Sequence, residues 1–246
     1  MLRLILVALF LIIFFLLGIV SWIILFPMGL ISKKARDYAS YYIVRFAFKS
    51  ILFLSGTKVT VIGAENISRE QAALYVGNHR SFFDIVLLYS LIPARMGFIS
   101  KKEIKKVFPL NVWMYLMNCI FLDRSSIEAA IKMINDGVEN IKNGISIFIF
   151  PEGTRSKTDD GMVDFKEGSL KMAKKAKCPI VPVAINNTST IFEDNFPKIK
   201  KSKICIEFGK PIDIESLSKE DKKALGVYTH DIVWNMVQKN KEFIKN

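Results

Sequence analysis

An uncharged amino-terminal segment decides the environment in which this chain can fold. Residues 4–31 form a run of 28 residues without a charge. As an α-helix the run would be about 42 Å long, against about 30 Å for the hydrocarbon core of a bilayer. It exceeds the apolar region of a secretory signal peptide, and no small-residue cleavage site follows. We therefore interpret it as a retained membrane anchor, while Gly18, Pro27 and Gly29 leave open a tilted span, a kinked span or a helix lying partly in one leaflet.

The charges that flank this segment predict its orientation. Only Arg3 precedes it, whereas Lys33, Lys34 and Arg36 follow, so the positive-inside bias predicts the cytoplasmic membrane with the rest of the chain on the cytoplasmic side. The three cysteines are odd in number, far apart and without a CxxC spacing, which predicts reduced thiols rather than disulfides or a zinc site. They are Cys119, Cys178 and Cys205.

A second amino-terminal helix is predicted over residues 38–54, which are rich in Tyr and Phe and carry Arg45 and Lys49 one turn apart. This mixture suits the headgroup level of a bilayer, and we expect an interfacial helix. A helix packed on the following domain with a solvated basic edge is the alternative. We accordingly divide the chain into membrane-anchoring helices at 1–56 and a globular domain at 57–246.

From about Thr57 onward, short apolar runs alternate with amphipathic stretches, a pattern typical of an α/β domain. We expect a single domain with a mixed central sheet flanked by helices. The predicted strands are 59–62, 72–76, 97–99, 119–122, 145–150, 180–185 and 204–208. The predicted helices are 82–91, 111–117, 127–142, 169–176 and 224–244, the third with a capping box of Ser125 and Glu128 and with Gly144 beyond its end.

One of the two histidines lies in the stretch NHRSFFD, residues 78–84. Two residues five apart on a regular helix point about 140° away from each other, so His79 and Asp84 could meet only across a helix boundary. Ser81 and Asp84 resemble a capping box, which places His79 on the entering loop and Asp84 in the first turn. The carboxylate can then hold one ring nitrogen while the other faces a substrate. The alternative is a helix cap beside an ordinary loop histidine.

Three further strands are predicted to end on charged residues, where α/β proteins place ligand sites. FPEGTRS at 150–156 leaves Glu152 and Arg155 after a type I turn, suited to a hydroxyl and an anion respectively. IFLDR at 120–124 brings Arg124 beside a helix amino terminus, where a phosphate would also meet backbone amides. A third end delivers Lys101 and Lys102. Ordinary surface loops and solvated charges are the alternatives.

These stretches, followed by VPVAI at 181–185, have the order and approximate spacing of the four motifs of glycerolipid acyltransferases. The chain most closely resembles the 1-acylglycerol-3-phosphate acyltransferase family, over roughly residues 59–212, and FKEG at 165–168 and GKPI at 209–212 are also similar. One position departs from the pattern. The family's second motif usually begins with Gly three residues before Phe121, and here that residue is Asn118, whose side chain we expect to narrow the acceptor pocket.

The resemblance implies a reaction and a set of roles. His79 would be the general base and Asp84 its orienting partner, in direct attack of the sn-2 hydroxyl of lysophosphatidic acid on the thioester of acyl-CoA or acyl-carrier protein. The product would be phosphatidic acid, an intermediate of phospholipid biosynthesis, with no acyl-enzyme, metal or cofactor. The residues implied in substrate binding are Lys101, Arg124 and Arg155 for the phosphate, and Glu152, Gly153 and Thr154 around the glycerol.

Other functions stay open at this level. With 35 Lys and Arg against 23 Asp and Glu, the net charge of +12 also suits a membrane-tethered module that binds anionic lipid or nucleic acid without catalysis. We expect no nucleic-acid partner, because the sequence has no zinc finger, RNP motif or evident helix-turn-helix. A serine hydrolase would need GxSxG, which is absent. Glycerol-3-phosphate or another lysophospholipid could replace the acceptor. His230, on the carboxy-terminal helix, is interpreted as structural or solvated.

Overall fold

The computed structural model describes residues 1–68, 70–156 and 161–244. Within them, a sheet in the strand order β1-β7-β6-β2-β5-β3-β4 forms the centre of the molecule. All neighbours are parallel except β6 and β7. The sheet is therefore mixed, and the predicted α/β fold is confirmed. The strands are β1 Lys58–Ile62, β2 Leu74–Gly77, β3 Met96–Lys101, β4 Ile120–Leu122, β5 Ser146–Ile149, β6 Ile180–Asn186 and β7 Lys203–Phe208.

Eight α-helices in these described residues connect or flank the strands. They are α1 Leu2–Ile31, α2 Lys33–Ser55, α3 Phe83–Leu91, α4 Leu110–Leu116, α5 Ile127–Lys142, α6 Glu167–Ala176, α7 Lys219–Lys223 and α8 Leu225–Lys239. The predicted cap of α5 is wrong by one residue. Ser126 Oγ accepts from Ala129 N and donates to Glu128, whereas Ser125 is engaged with Asp123 through both its N–H and its hydroxyl.

The central strands β2, β5 and β6 are buried on both faces, which explains why they read as nearly continuous apolar runs. Side chains alternate across a strand. Tyr75 accordingly packs with Phe148 in a core covered by α1 to α4, while Leu74 and Val76 pack in a second core covered by α5, α6 and α8. The first core includes buried residues of α1 and α2 and thus crosses the predicted division at residue 56, where Gly56 ends α2 at φ 71°.

The second helix packs on the domain along one face. Tyr41 and Val44 of α2 are buried in the first core, and Arg45 donates to the carbonyl of Ser90 on α3 at 3.2 Å. The expected interfacial character applies only to the opposite face, where large aromatic side chains stay exposed. These are Tyr42, Phe46 and Phe53. The alternative of a domain-packed helix therefore describes the position of α2.

The first helix lies alongside the domain and leaves an apolar face uncovered. Its middle abuts α4, since a Cβ at Gly18 would lie 2.9 Å from Trp113 Nε1 and the rings of Phe14 and Trp113 are 5.3 Å apart. Its start meets the end of α2, where Arg3 lies against Gly56. Among the described residues α1 alone is long and apolar enough to cross a membrane, and only 11% of its most apolar window is buried. This exposed apolar face indicates membrane association.

Asn118 has a conformational role at the start of β4. Its φ is 56°, in the left-handed region that glycine adopts freely and that Asn tolerates better than most residues. A glycine at this position would satisfy the same backbone requirement. Asn118 precedes the amino end of the three-residue strand β4, whereas Arg124 follows its carboxyl end. The expected narrowing of an acceptor pocket by Asn118 stays a prediction.

Substitutions at Asn118 test this conformational role. We expect Asn118→Gly to unfold at or above the wild-type temperature. Asn118→Val forces a β-branched residue to positive φ at a cost of about 1–2 kcal/mol, and should lower Tm by several degrees. Thermal unfolding in detergent measures both. Equal midpoints for the valine and glycine variants would contradict the assigned role.

Candidate active site

The residues predicted at strand ends lie along one edge of the sheet. Because β2, β5, β3 and β4 are parallel, the loops after them emerge side by side. His79 follows β2, Glu152 follows β5, Lys101 ends β3 and Arg124 follows β4. At about 4.8 Å between strands, the ends of β3 and β4 lie about 10 and 14 Å from that of β2. Lys101 and Arg124 are exposed on this edge, while His79 and Glu152 are in direct contact.

The predicted His79–Asp84 pair is present. Nδ1 of His79 lies 2.8 Å from Asp84 Oδ2, and the Asp84 side chain is completely buried. The same oxygen accepts from the backbone N–H groups of Arg80 and Ser81 at 2.8 and 2.9 Å, and Oδ1 accepts from the hydroxyl of Thr188. A carboxylate can only accept here, so the neutral imidazole carries its proton on Nδ1 and its lone pair on Nε2.

The local sequence produces this geometry through the start of α3. The Ser81 N–H donates to the Asp84 carboxylate, as a capping box requires. Ser81 Oγ, however, accepts from Phe83 N at 2.9 Å instead of from Asp84 N. The helix consequently begins at Phe83, one residue later than predicted. Asp84 still lies in its first turn, and His79 still lies on the entering loop.

The environment of the His79 ring leaves one nitrogen accessible. The ring stacks on Phe150, with centroids 3.9 Å apart and planes at 15°. The side chain is 17% exposed, and no described residue hydrogen-bonds to Nε2. The backbone is fixed as well, because the carbonyl of His79 accepts from Ser156 N at 2.8 Å. Nε2 is therefore the atom that an external hydroxyl can reach.

The side chain of Glu152 binds the backbone N–H of His79. It is 3% exposed, and its two oxygens accept from the N–H groups of His79 at 2.7 Å and Val163 at 3.1 Å. Burial raises the pKa of this carboxyl, although those two amides act in the opposite direction. Both oxygens are thus engaged by main chain, and Glu152 positions His79. The predicted role as a hydroxyl acceptor remains a prediction, as do those of Gly153, at φ 74°, and the exposed Thr154.

Arg155 is held in place by Glu193, a residue that the sequence analysis missed. Its guanidinium lies 4.0 Å from the centroid of the exposed Phe82 ring, and Nη1 is 3.3 Å from Glu193 Oε1. Glu193 also accepts from Ser81 Oγ at 2.8 Å and Phe82 N at 2.7 Å. One carboxylate therefore links the start of α3 to Arg155.

The strand containing VPVAI fastens the histidine loop. Asn78 exchanges two hydrogen bonds with the backbone of Ile185, both at 2.8 Å. Glu193 and Thr188 follow this strand, β6, at the same edge of the sheet. The signal that could have identified them is the parallel alignment of β6 with β2, which places the residues after both strands together.

The remaining predicted positions lie farther out. Asp123 accepts from Lys102 Nζ at 2.6 Å, and hydrogen bonds from Lys102 and Ser125 hold the pKa of its carboxyl below the usual range. This pair fixes the turn that carries Arg124. His230 lies on α8, with Nδ1 3.0 Å from Asp231 and its ring edge-on to Phe165, on the other face of the sheet.

The comparisons with known proteins agree with this geometry. The acyltransferase family model matches residues 58–186. The 1-acyl-sn-glycerol-3-phosphate acyltransferase of Saccharomyces cerevisiae is 34% identical over 215 residues, covering 87% of this chain and 69% of that one. The enzyme of the same name from Borreliella burgdorferi is 31% identical over 206 residues, covering 84% and 80%.

A solved structure has the same fold. The crystal structure of the 1-acyl-sn-glycerophosphate (LPA) acyltransferase PlsC from Thermotoga maritima superposes with a TM-score of 0.75 at 23% identity, covering 96% of this chain and 97% of that one. The family match spans more than half of the 246 residues. The chain therefore belongs to the acyltransferase family, among the 1-acyl-sn-glycerol-3-phosphate acyltransferases, and is an enzyme of acyl transfer.

Proposed function

We propose that this enzyme acylates the sn-2 hydroxyl of lysophosphatidic acid to give phosphatidic acid, using acyl-CoA or acyl-carrier protein as donor and His79 as general base. The observation that carries the proposal is the Nδ1 bond to the buried Asp84, which leaves Nε2 accessible on an edge lined with cations. The names of the relatives support the acceptor.

The reaction follows from the tautomer. Nε2 removes the proton of the sn-2 hydroxyl as the oxygen attacks the thioester carbonyl, and the imidazolium that forms keeps its Nδ1–H bonded to Asp84. The tetrahedral intermediate collapses by re-forming the carbonyl and breaking the C–S bond, and the departing sulfur takes the proton from Nε2. General base catalysis of this kind contributes about 10²–10⁴-fold. Direct transfer to the acceptor needs no acyl-enzyme.

The acceptor phosphate is the proposed partner of the cations on this edge. Arg155 is held by Glu193 through Nη1, and a guanidinium has five N–H donors, so others remain for a phosphate. Its stacking on Phe82 fixes the plane of the group before substrate binds. Lys101 and Arg124 lie two and three strands from His79, within the span of a glycerol phosphate and long side chains.

We further propose the cytoplasmic membrane as the location, with the catalytic domain on the cytoplasmic side, where Lys33, Lys34 and Arg36 favour it. The packing of α1 supports a helix that lies in one leaflet. Gly18, in its middle, abuts Trp113 of α4, so a straight crossing would carry α4 into the hydrocarbon.

The two histidines provide a matched test of the base. We expect His79→Ala to lower transfer from labelled acyl-CoA to lysophosphatidic acid by at least 10²-fold, because the hydroxyl loses its proton acceptor. His230→Ala should retain activity, since His230 lies on the other face of the sheet. Membranes containing each variant are assayed against lysophosphatidic acid, glycerol-3-phosphate and a second lysophospholipid. Full activity without His79, or preference for another acceptor, would refute the respective part of the proposal.

Removal of Arg155 should act on acceptor binding. A hydrogen bond to a charged group contributes about 1.5–3 kcal/mol, so Arg155→Ala should raise KM for lysophosphatidic acid by about 10–150-fold. Transfer to a monoacylglycerol, which lacks the phosphate, should not change. Lys142→Ala is the control, because Lys142 ends α5 just before β5, at the opposite edge of the sheet. An equal loss with both acceptors would argue against a phosphate contact.

Thr188 tests the orientation of Asp84. Thr188→Val removes the hydroxyl that donates to Oδ1 while preserving shape, and we expect kcat to fall by about tenfold with KM nearly unchanged, the effect of one net hydrogen bond. Thr188→Ser should restore the rate because it restores the donor. If serine behaved like valine, or if KM carried the effect, Thr188 would not be orienting the carboxylate.

A further inference from the structure

A second surface beside the active site has the composition of a lipid-binding surface. It belongs to the segment between β6 and β7 and to the start of β1. Its exposed residues form what we call the basic rim: Lys58, Phe196, Lys198, Lys200, Lys201 and Lys203. We propose that the basic rim binds the headgroups of anionic lipids and thereby sets the catalytic edge against the bilayer. The proposal adds a membrane contact to the proposed function and stands separately from the reaction.

The backbone holds these side chains outward. Ile199 is buried in the first core, so its neighbours Lys198 and Lys200 face solvent. Lys200 N donates to the carbonyl of Ile191 at 2.9 Å, and Lys198 N donates to that of Asn195 at 2.8 Å. Phe196 is 74% exposed. The segment is therefore anchored, and it presents a large aromatic ring two residues before the first of its lysines.

The charge of the basic rim has no counterpart within the described residues. Lys58 and Lys203 are direct neighbours on β1 and β7, although like charges in that position repel. Of the nearest acidic side chains along the segment, Glu193 pairs with Arg155, while Asp194 accepts from the neutral hydroxyl of Ser189, and its single charge does not balance the rim lysines. None of the rim lysines forms an ion pair with a described residue. An external anionic surface would compensate this charge.

The position of the basic rim favours a bilayer as that surface. Because β7 runs antiparallel to β6, its start lies at the edge where β6 and β2 end, beside His79. Lys58 N donates to the carbonyl of Ser202 at 2.9 Å, only two residues beyond Gly56, against which Arg3 of α1 lies. The rim is thus continuous with the start of the exposed apolar face of α1. The surface that runs from α1 to the basic rim presents apolar, then aromatic and basic side chains, which match the layers of a membrane interface.

Partition between two vesicle populations tests the proposal with the full chain. The protein is reconstituted in zwitterionic vesicles and mixed with dense vesicles of zwitterionic lipid alone or with added phosphatidylglycerol, which are then sedimented. Each charge removed should reduce the preference for anionic vesicles by about fivefold, so Lys198→Gln/Lys200→Gln/Lys201→Gln should reduce it by about a hundredfold. The residual preference should also become less sensitive to salt.

The control removes the same charge from the opposite face of the sheet. Lys171, Lys174 and Lys175 are exposed on α6, which covers the second core, and their triple Gln variant should keep the wild-type preference. An equal loss in both variants, or no loss in the rim variant, would overturn the proposal. So would a rim variant that partitions normally but loses salt-sensitive nucleic-acid binding in a mobility shift, which would identify a nucleic-acid surface.

A soluble acceptor separates this proposal from the reaction. Transfer to a short-chain lysophosphatidic acid below its micellar concentration does not need a bilayer, and both triple variants should catalyse it at the wild-type rate. If the wild type failed here, the proposed acceptor would be wrong, while the vesicle measurement would still decide the role of the basic rim. A rim variant that failed here alone would indicate a substrate contact instead of a lipid surface.

Discussion

The carboxylate of Asp84 is the interaction on which the site depends. It is completely buried and accepts from a histidine ring, two backbone amides and the hydroxyl of Thr188. An unpaired buried charge would be costly, so these donors must stay in place for the domain to fold as it does. Since they come from the loop after β2 and the segment after β6, one charge fixes two distant parts of the chain and the tautomer of His79 together.

The parallel sheet makes this convergence possible. The segments after β2 and β5 emerge at one edge, and each contributes a direct contact to the histidine: Asp84 bonds to its ring and Glu152 to its backbone N–H. Ile185, within β6, holds the preceding residue, Asn78. His79, the proposed general base, is therefore held through its ring and through its backbone. Preorganisation of this kind would reduce the reorganisation needed to form the imidazolium of the proposed reaction.

Local patterns in the sequence predict part of the fold and of the site. The rest depends on contacts between residues that are far apart in the sequence. The central strands could be predicted because they are buried on both faces, and Asp84 could be placed because a helix start is a local signal. Glu193 was missed because its contacts to Ser81 span more than a hundred residues and leave no periodic trace. Nothing local showed that the oxygens of Glu152 also accept from backbone amides, and its predicted contact with a ligand stays a prediction. Asn118 is a different case. It departs from the sequence motif, yet its backbone adopts the positive φ that glycine would adopt freely.

The arrangement of α1 relates the fold to the physical problem of a lipid acceptor. The helix begins beside Gly56, next to the starts of β1 and β7, and thus at the same edge of the sheet as His79. The exposed apolar face of α1 therefore borders the edge of the sheet that carries His79. A lysophospholipid has its hydroxyl within a few ångströms of its phosphate, while its chain favours hydrocarbon by about 0.8 kcal/mol for each CH₂. An enzyme that required the chain to leave the bilayer entirely would have to offset that whole sum. In the arrangement proposed above, the domain rests on the membrane with this edge against the surface, and only the headgroup would have to rise, towards the cations proposed to bind its phosphate.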